Sequence, residues 1–133
     1  IHGGARPLVT ADIIERGLDA ARETGAAIAA VPVTDTIKMA GDDGIVRQTP
    51  DRSGLWAAQT PQVFRFDIID RAYRDAGNEV TDDASLVENI GGKVKLFMGS
   101  YRNTKITNPP EADCFCDFSA SPSLLSMKYN IAI

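Results

Sequence analysis

Residues 51–62 read DRSGLWAAQTPQ and combine the only tryptophan of the chain, Trp56, with an Asp-Arg pair and a Thr-Pro step. Arg52 carries a planar guanidinium whose donors suit a phosphate or a carboxylate. Because Pro61 keeps the preceding residue out of the α region, the Thr60 hydroxyl is expected on extended backbone. The stretch therefore predicts a segment that leaves the core, presents Arg52 and Thr60 to an anionic ligand, and returns.

Around this segment the chain alternates helix-like and strand-like stretches. Residues 26–33 (AAIAAVPV) form a nearly continuous apolar run after a helical pattern, which is typical of a buried strand in a parallel sheet. Residues 1–2 are expected to end an earlier strand. The other predicted elements are a helix from Thr10 to Gly25, hairpin strands over 36–39 and 45–49, a helix from Asp67 to Gly77, a helix over 80–90 capped by Thr81 or Asp82, a strand over 94–98 and an extended segment over 103–107.

The hairpin differs from the other predicted elements because it is polar on both sides. Its turn, Gly41-Asp42-Asp43-Gly44, has the composition typical of a hairpin connection. An isolated two-stranded ribbon is marginally stable in water. We therefore expect the hairpin to rest on its own domain or on a partner subunit, which gives an α/β architecture with a hairpin arm.

Two polar segments follow predicted strands and so fall at the carboxyl edge of a doubly wound sheet, where ligands bind. Residues 3–7 (GGARP) offer backbone amides and the Arg6 guanidinium to a phosphate. An ordinary Gly-Pro turn with a solvated arginine is an equal alternative. In residues 33–38 (VTDTIK), Thr36 and Lys38 are candidate donors, although a strand end capped by threonine and aspartate explains them more simply.

Length and composition narrow the class of protein. A chain of 133 residues corresponds to one domain, and a net charge of −4 gives no basic surface for nucleic acid. No apolar run approaches the roughly 20 residues of a membrane span. There is no signal-peptide pattern, so a cytoplasmic location is expected. The chain lacks an initiator methionine, and its strand-like start indicates a fragment.

The remaining reactive residues give weak signals. Cys114 and Cys116 are interpreted as incidental thiols, and the single histidine, His2, cannot build a metal cluster or a Ser-His-Asp triad by itself. The adjacent carboxylates of Asp82 and Asp83 could hold a metal, but helix capping explains them more simply. Residues 111–133 are predicted to form a poorly specified tail.

The order of these blocks resembles one enzyme family, the 2-C-methyl-D-erythritol 4-phosphate cytidylyltransferases. The resemblance runs from residue 1 to about Pro109, and related polyol-phosphate cytidylyltransferases share only some of the blocks. The matching blocks are Ile1-His2-x-x-Ala5-Arg6-Pro7, Pro32-Val33-Thr34-Asp35-Thr36-Ile37-Lys38, Asp51-Arg52, Leu55-Trp56-x-x-Gln59-Thr60-Pro61-Gln62-x-Phe64, Thr81-Asp82-Asp83-Ala84-Ser85-x-Val87-Glu88 and Asn103-x-Lys105-Ile106-Thr107.

The resemblance implies a fold, a reaction and partners. Residues 1–110 would form part of a doubly wound, Rossmann-like nucleotidyltransferase sheet, with a hairpin dimerisation arm over about 36–52. The reaction would couple CTP to the methylerythritol phosphate with Mg²⁺ and release pyrophosphate, in the non-mevalonate route to isoprenoid precursors. The enzyme would be a homodimer in the cytoplasm, or in the plastid stroma of a photosynthetic eukaryote.

The resemblance also assigns roles to residues. Arg6, Thr36, Thr60 and Lys105 match family positions that bind the polyol phosphate. Arg52 matches a catalytic arginine on the arm, which reaches into the neighbouring subunit's site. Trp56, which lies between Arg52 and Thr60 in the sequence, is then predicted to serve packing and not chemistry.

Two departures from the family matter for these expectations. Gly3 stands where the family has an aspartate that helps to hold substrate and metal, so no metal ligand is predicted here. The family's N-terminal half, with the Gly-rich loop that cradles CTP, is absent, so the isolated chain is expected to be inactive. The alternatives are a cytidylyltransferase for another polyol phosphate, such as ribitol 5-phosphate, and a non-catalytic remnant or dimerisation module.

Overall fold

The structure, a computed structural model, describes residues 1–75 and 82–107 of the chain. These ranges contain both helices and strands, as the sequence predicts, and no helix there is long and apolar enough to cross a membrane. The elements in chain order are α1 (Ala11–Thr24), β1 (Ala26–Pro32), β2 (Met39–Ala40), β3 (Val46–Gln48), a 3-10 turn (Arg52–Gly54), β4 (Trp56–Phe64), α2 (Phe66–Arg74), α3 (Asp83–Asn89) and β5 (Lys95–Met98).

A three-stranded sheet in the order β4-β1-β5 forms the centre of the fold. β1 and β5 are parallel, with Ala27 opposite Lys95 and Ala30 opposite Met98. This pairing confirms that residues 26–33 contain a strand of a parallel pair and that residues 94–98 contain a strand. The other neighbour, β4, is antiparallel to β1, with Ile28 opposite Gln62.

The strand β4 corrects the prediction that residues 51–62 leave the core and return. Residues 56–58 and 62–64 instead pair with β1, and a bulge at residues 59–61 separates the two paired stretches. Polar side chains of this strand are buried, with Gln59 at 7% and Gln62 at 5% exposure. On the other side of β4, Ile1 donates to the Gln62 carbonyl at 2.7 Å and accepts from the Gln62 amide at 2.9 Å. Residues 1–2 thus pair as an extended segment would, although they are not a strand.

Helix α1 covers one face of the sheet. Thr10 caps its start by accepting a hydrogen bond from the Ile13 amide, and Gly25 ends it with a φ of 82°, as predicted. Gly17 allows close packing because a Cβ there would lie only 2.8 Å from the Phe97 ring. The core on this side contains Ile13, Ala20, Ala21, Ala27, Ala29 and Phe97.

Helices α2 and α3 cover the opposite face, where they pack with β1 around Ala26, Ala72, Leu86 and Val87. Neighbouring alanines of β1 therefore face different cores, as alternation along a strand requires. Helices on both faces of a sheet with a parallel pair are consistent with part of a doubly wound nucleotidyltransferase fold.

The starts of α2 and α3 test the predicted caps. The prediction that Asp67 caps α2 is wrong, because the cap position is Arg65 and Asp67 lies in the first turn, paired with Arg65 at 2.5 Å. There its charge complements the helix dipole. Asp82 caps α3 by accepting from the Ser85 amide at 2.9 Å, which confirms capping. The predictions for Thr81, Gly77, the two cysteines and the tail over 111–133 concern residues outside the described ranges.

The hairpin forms, but its strands are shorter than predicted and make a separate two-stranded sheet. Gly44 adopts a φ of 73° in the turn, and Asp43 bonds the Ile45 amide at 3.0 Å and Arg47 at 2.6 Å. None of residues 36–49 is buried. The hairpin therefore has no core of its own within the described part of the chain.

Candidate functional site

Three segments that are distant in sequence meet beside the middle of β4. They are residues 2–6, 58–60 and 103–106, which we call the loop cluster. The Ile106 amide donates to the Ala5 carbonyl at 2.8 Å, so the last segment lies along the first. The cluster contains Arg6, Thr60 and Lys105, three of the four residues predicted to bind substrate.

Arg6 is fixed within the loop cluster by two carbonyl groups. Its Nη1 donates to the Asn103 carbonyl at 2.6 Å, and its Nη2 approaches the Ala58 carbonyl at 3.4 Å. Partial burial lowers the pKa of the Arg6 guanidinium from its ordinary value, because burial disfavours the charged form. A bound anion would offset that cost, and a guanidinium has further donors to offer it. The arrangement suits a phosphate or a carboxylate.

The Thr60 hydroxyl, on β4, contacts the first segment of the loop cluster, residues 2–6. The Gly3 amide donates to its Oγ1 at 3.1 Å, and Nδ1 of His2 lies 2.9 Å from the same atom. The other ring nitrogen of His2 lies 3.1 Å from the Arg6 carbonyl. The hydroxyl therefore has a defined direction, set by the loop that carries Arg6.

Asn103 connects Arg6 and Thr60, two of the predicted ligand-binding residues, through hydrogen bonds with both. It is fully buried, its Nδ2 donates to the Thr60 carbonyl at 2.8 Å, and its own carbonyl accepts from Arg6. Its Oδ1 is buried with no hydrogen-bond partner in the structure. Gln59 adds a second link, because its Nε2 donates to the Ser100 carbonyl at 2.9 Å.

Sequence reasoning missed the role of these buried amides. In the sequence, Asn103 is only one residue of the family block that contains Lys105. An asparagine in an irregular segment gives no periodic signal of burial, and its partners are more than 40 positions away. The only available signal was its place two residues before Lys105, which is itself exposed.

A second group lies at the base of the hairpin, away from the loop cluster. Arg52 is exposed in the 3-10 turn and donates to the Thr34 carbonyl, close in sequence to Thr36, which is also exposed. At about 3.3 Å per residue, Thr60 lies roughly 13 Å along β4 from Trp56, at the start of that strand. None of the hydrogen bonds of Arg6 and Thr60 described above involves Arg52 or Thr36.

Asp51 fixes the turn that carries Arg52. Its carboxylate accepts from the Ser53 amide at 3.0 Å and from the Ser53 hydroxyl at 2.8 Å. These two hydrogen bonds lower the pKa of the Asp51 carboxyl below its ordinary value, and the hydrogen bond from the Ser53 amide is the larger cause. Trp56 lies just beyond and is 40% exposed within this chain, and its predicted packing role stays a prediction.

The described residues do not fit a metal site made by protein ligands. Residues 1–75 and 82–107 contain no group of three histidine, cysteine, aspartate or glutamate side chains that could hold an ion. Gly3 lacks a carboxylate, although a Cβ there would have 3.8 Å to its nearest neighbour, Thr60 Oγ1. A Cβ would therefore meet no clash at position 3, and the backbone there does not require glycine.

Comparison with known proteins gives one consistent answer. The family model described as "IspD: 2-C-methyl-D-erythritol 4-phosphate cytidylyltransferase" matches residues 1–115. The enzyme of that name from Symbiobacterium thermophilum is 53% identical over 114 residues, which are 84% of this chain and 48% of the relative. The one from Syntrophotalea carbinolica is 52% identical over 123 residues, or 88% and 52%. The chain thus spans about half the length of the curated relatives it matches.

Solved structures of such enzymes agree with the fold. The cytidylyltransferase from Thermus thermophilus superposes with a TM-score of 0.76 at 34% identity, covering 85% of this chain and 57% of that one. The synthase from Anaerococcus prevotii gives a TM-score of 0.78 at 33% identity, with 88% and 56% covered. The family model matches most of the chain, and the folded part is similar to solved members over the same region. The chain therefore belongs to the 2-C-methyl-D-erythritol 4-phosphate cytidylyltransferase family.

Proposed function

We propose that this chain is the polyol-phosphate-binding part of an enzyme that transfers a cytidylyl group from CTP to 2-C-methyl-D-erythritol 4-phosphate and releases pyrophosphate. The reaction is a step of the non-mevalonate route to isoprenoid precursors. The observation that carries the proposal is the placement of the Arg6 guanidinium, which Asn103 holds at 2.6 Å in the same cluster as the Thr60 hydroxyl. Membership of the family supports the choice of substrates.

The chemistry requires two anions to be brought together. An oxygen of the substrate phosphate attacks the α-phosphorus of CTP, a new P–O bond forms, and the bond from the α-phosphorus to the pyrophosphate leaving group breaks. Positioning and charge stabilisation suffice for this step, without a covalent enzyme intermediate. In this proposal Arg6 and Lys105 bind the anionic end of the polyol phosphate, and the Thr60 hydroxyl orients it. Thr36, which lies on the arm, offers its hydroxyl to the substrate in a neighbouring subunit's site.

Arg52 acts on the site of a neighbouring subunit in this proposal. The hairpin arm, residues 36–52, is exposed along 42–49 and has no buried residue between 36 and 49. Its exposed apolar side chains include Met39, Ile45 and Val46. A homodimer would cover this surface and bring Arg52 to the partner's loop cluster. The CTP-binding part would lie in the other half of a full-length enzyme, and the predicted cytoplasmic location stays a prediction.

No step of the proposed reaction is assigned to the predicted Mg²⁺. Magnesium is usually held by one or two carboxylates together with substrate phosphates. By the resemblance described above, the family has an aspartate at the position of Gly3, and glycine offers no carboxylate there. This feature favours one alternative from another class, a chain that binds a polyol phosphate and dimerises without turnover.

The proposal is tested with a hybrid enzyme, in which the N-terminal part of the Symbiobacterium thermophilum relative precedes residues 1–133. Pyrophosphate release from CTP is measured with methylerythritol phosphate and, separately, with ribitol 5-phosphate. We expect turnover with the first substrate and at least about tenfold slower turnover with the second, since a site built for given hydroxyl groups discriminates against others. The relative's own enzyme is the positive control.

The Gly3→Asp variant of the hybrid enzyme separates the remaining alternatives. Turnover in both forms supports the proposed enzyme, with the aspartate form expected to be faster. Turnover only with aspartate would favour the non-catalytic alternative for the chain as it stands. A folded hybrid, judged by circular dichroism, that is inactive in both forms would contradict the proposed function.

A further inference from the structure

The Thr60 hydroxyl has two neighbours in the first segment of the loop cluster, and together they decide where its hydrogen points. Nδ1 of His2 lies 2.9 Å from Oγ1, and the Gly3 amide donates to Oγ1 at 3.1 Å. Nε2 of His2 lies 3.1 Å from the Arg6 carbonyl. His2 therefore bridges the Thr60 side chain and the backbone of Arg6.

The Arg6 carbonyl determines the tautomer of His2. A carbonyl oxygen can only accept a hydrogen bond, so Nε2 must carry the hydrogen in this contact. In the neutral ring Nδ1 is then an acceptor, because only one of the two nitrogens is protonated. It follows that the Thr60 hydroxyl donates its hydrogen to His2, while its oxygen accepts from the Gly3 amide.

We propose that His2 is a positioning residue, which fixes the Thr60 hydroxyl as a hydrogen-bond acceptor toward the substrate. The proposal rests on the proposed function for the identity of that substrate. With its hydrogen directed to His2, the Thr60 oxygen has a lone pair left for a hydroxyl group of a polyol and no hydrogen left for a phosphate oxygen. Arg6 and Lys105, which can only donate, are then the groups that bind the phosphate.

The first test concerns the tautomer and does not depend on catalysis. The chain contains a single histidine, so a long-range ¹H–¹⁵N spectrum of the ¹⁵N-labelled 133-residue chain shows one imidazole. The same spectrum reports whether the ring carries one hydrogen or two. We expect the hydrogen on Nε2 and an unprotonated Nδ1. A hydrogen on Nδ1, or averaging between the two tautomers, would overturn the proposal.

The second test uses three variants of His2 in the hybrid enzyme. His2→Asn keeps an acceptor near the place of Nδ1, His2→Gln keeps a donor near the place of Nε2, and His2→Ala keeps neither. Loss of one neutral hydrogen bond corresponds to an increase in KM for methylerythritol phosphate of about 3- to 10-fold. We expect this increase for the alanine and glutamine variants, with KM for CTP unchanged and kcat within about two-fold.

The asparagine variant distinguishes positioning from a structural role. We expect its KM for methylerythritol phosphate to return to within about two-fold of the unmodified hybrid. Rescue by glutamine and not by asparagine would show that the Arg6 carbonyl contact matters instead, and would overturn the proposal. Equal changes in both KM values would do the same. An unmodified hybrid without turnover would contradict the proposed function, and the tautomer measurement would still decide the state of His2.

Discussion

The loop cluster and the hairpin arm carry the same kinds of side chain, arginine and threonine, in opposite surroundings. In the loop cluster the fully buried Asn103 holds both Arg6 and Thr60. In the arm no residue between 36 and 49 is buried, and Arg52 contacts a single backbone carbonyl. The difference teaches that the chain itself fixes the side chains of the loop cluster, whereas no buried residue of the described ranges supports the hairpin between 36 and 49.

The energetics of the two regions differ for the same reason. A buried amide that loses its partner retains an unsatisfied polar group, which costs far more than a broken contact at the surface. The Arg47–Asp43 pair of the hairpin, at 2.6 Å, is exposed on both sides and belongs to the class of ion pairs that contribute little. Substituting Asn103 in the cluster should therefore lower stability, whereas substituting exposed side chains of the arm should leave stability unchanged.

The largest expected effect is on the activity of the hybrid enzyme after Arg52→Ala. We expect a loss of about 100-fold, the cost of removing one group that stabilises charge in a transition state. The midpoint of thermal unfolding should not change, because Arg52 is exposed. Arg47→Ala on the same hairpin is the matched control, with near-normal activity. Equal activity of the two variants would remove Arg52 from the site.

Asn103→Ala in the loop cluster should lower stability, unlike Arg52→Ala in the arm. Its expected cost is about 1–3 kcal/mol of unfolding free energy, because the Thr60 carbonyl loses its buried donor. KM for methylerythritol phosphate should also rise, since Arg6 and Thr60 lose a shared support. Denaturant unfolding and steady-state kinetics measure the two effects. The neighbouring exposed residue supplies the control, Arg102→Ala, and equal stability of both variants would refute the role of Asn103.

The smallest expected effect concerns the turn that carries Arg52. Because hydrogen bonds from Ser53 lower the pKa of Asp51 in the folded state, they stabilise the turn above the unfolded-state pKa. That stabilisation should be lost as the pH falls through the lowered folded-state value. The Ser53 amide resonance, followed by NMR during an acid titration, should shift with a midpoint below that of an ordinary aspartate. In Asp51→Asn the shift should disappear, and its persistence would show another cause.

Much of the fold could be predicted from local sequence. The apolar run over 26–33 predicts a strand of a parallel sheet, and the run over 94–98 predicts a strand. Thr10, and Thr81 or Asp82, are predicted as caps because capping depends on residues within one helical turn. The strand β4 could not be predicted in this way. Its buried Gln59 and Gln62 find their partners in Ser100 and Asp82, which no local pattern reveals.

The candidate site shows the same limit. A resemblance to a family, and not periodicity, suggested that Arg6 and Thr60 serve one site. Asn103, which connects them, lies in an irregular segment where burial follows from contacts across 43 and 97 positions of sequence. Irregular segments give no hydrophobic period, so the buried polar residues that support a site are the hardest to predict.

The central claim is that Arg6 and Arg52 serve one reaction from different subunits, and mixing two defective hybrid enzymes tests it directly. Arg6→Ala and Arg52→Ala subunits are each expected to be nearly inactive alone. After unfolding and refolding as an equal mixture, half of the dimers should contain one of each, and one of their two sites has both arginines intact. We predict recovery of about a quarter of the unmodified activity. Activity no higher than the sum of the separate variants would contradict the account.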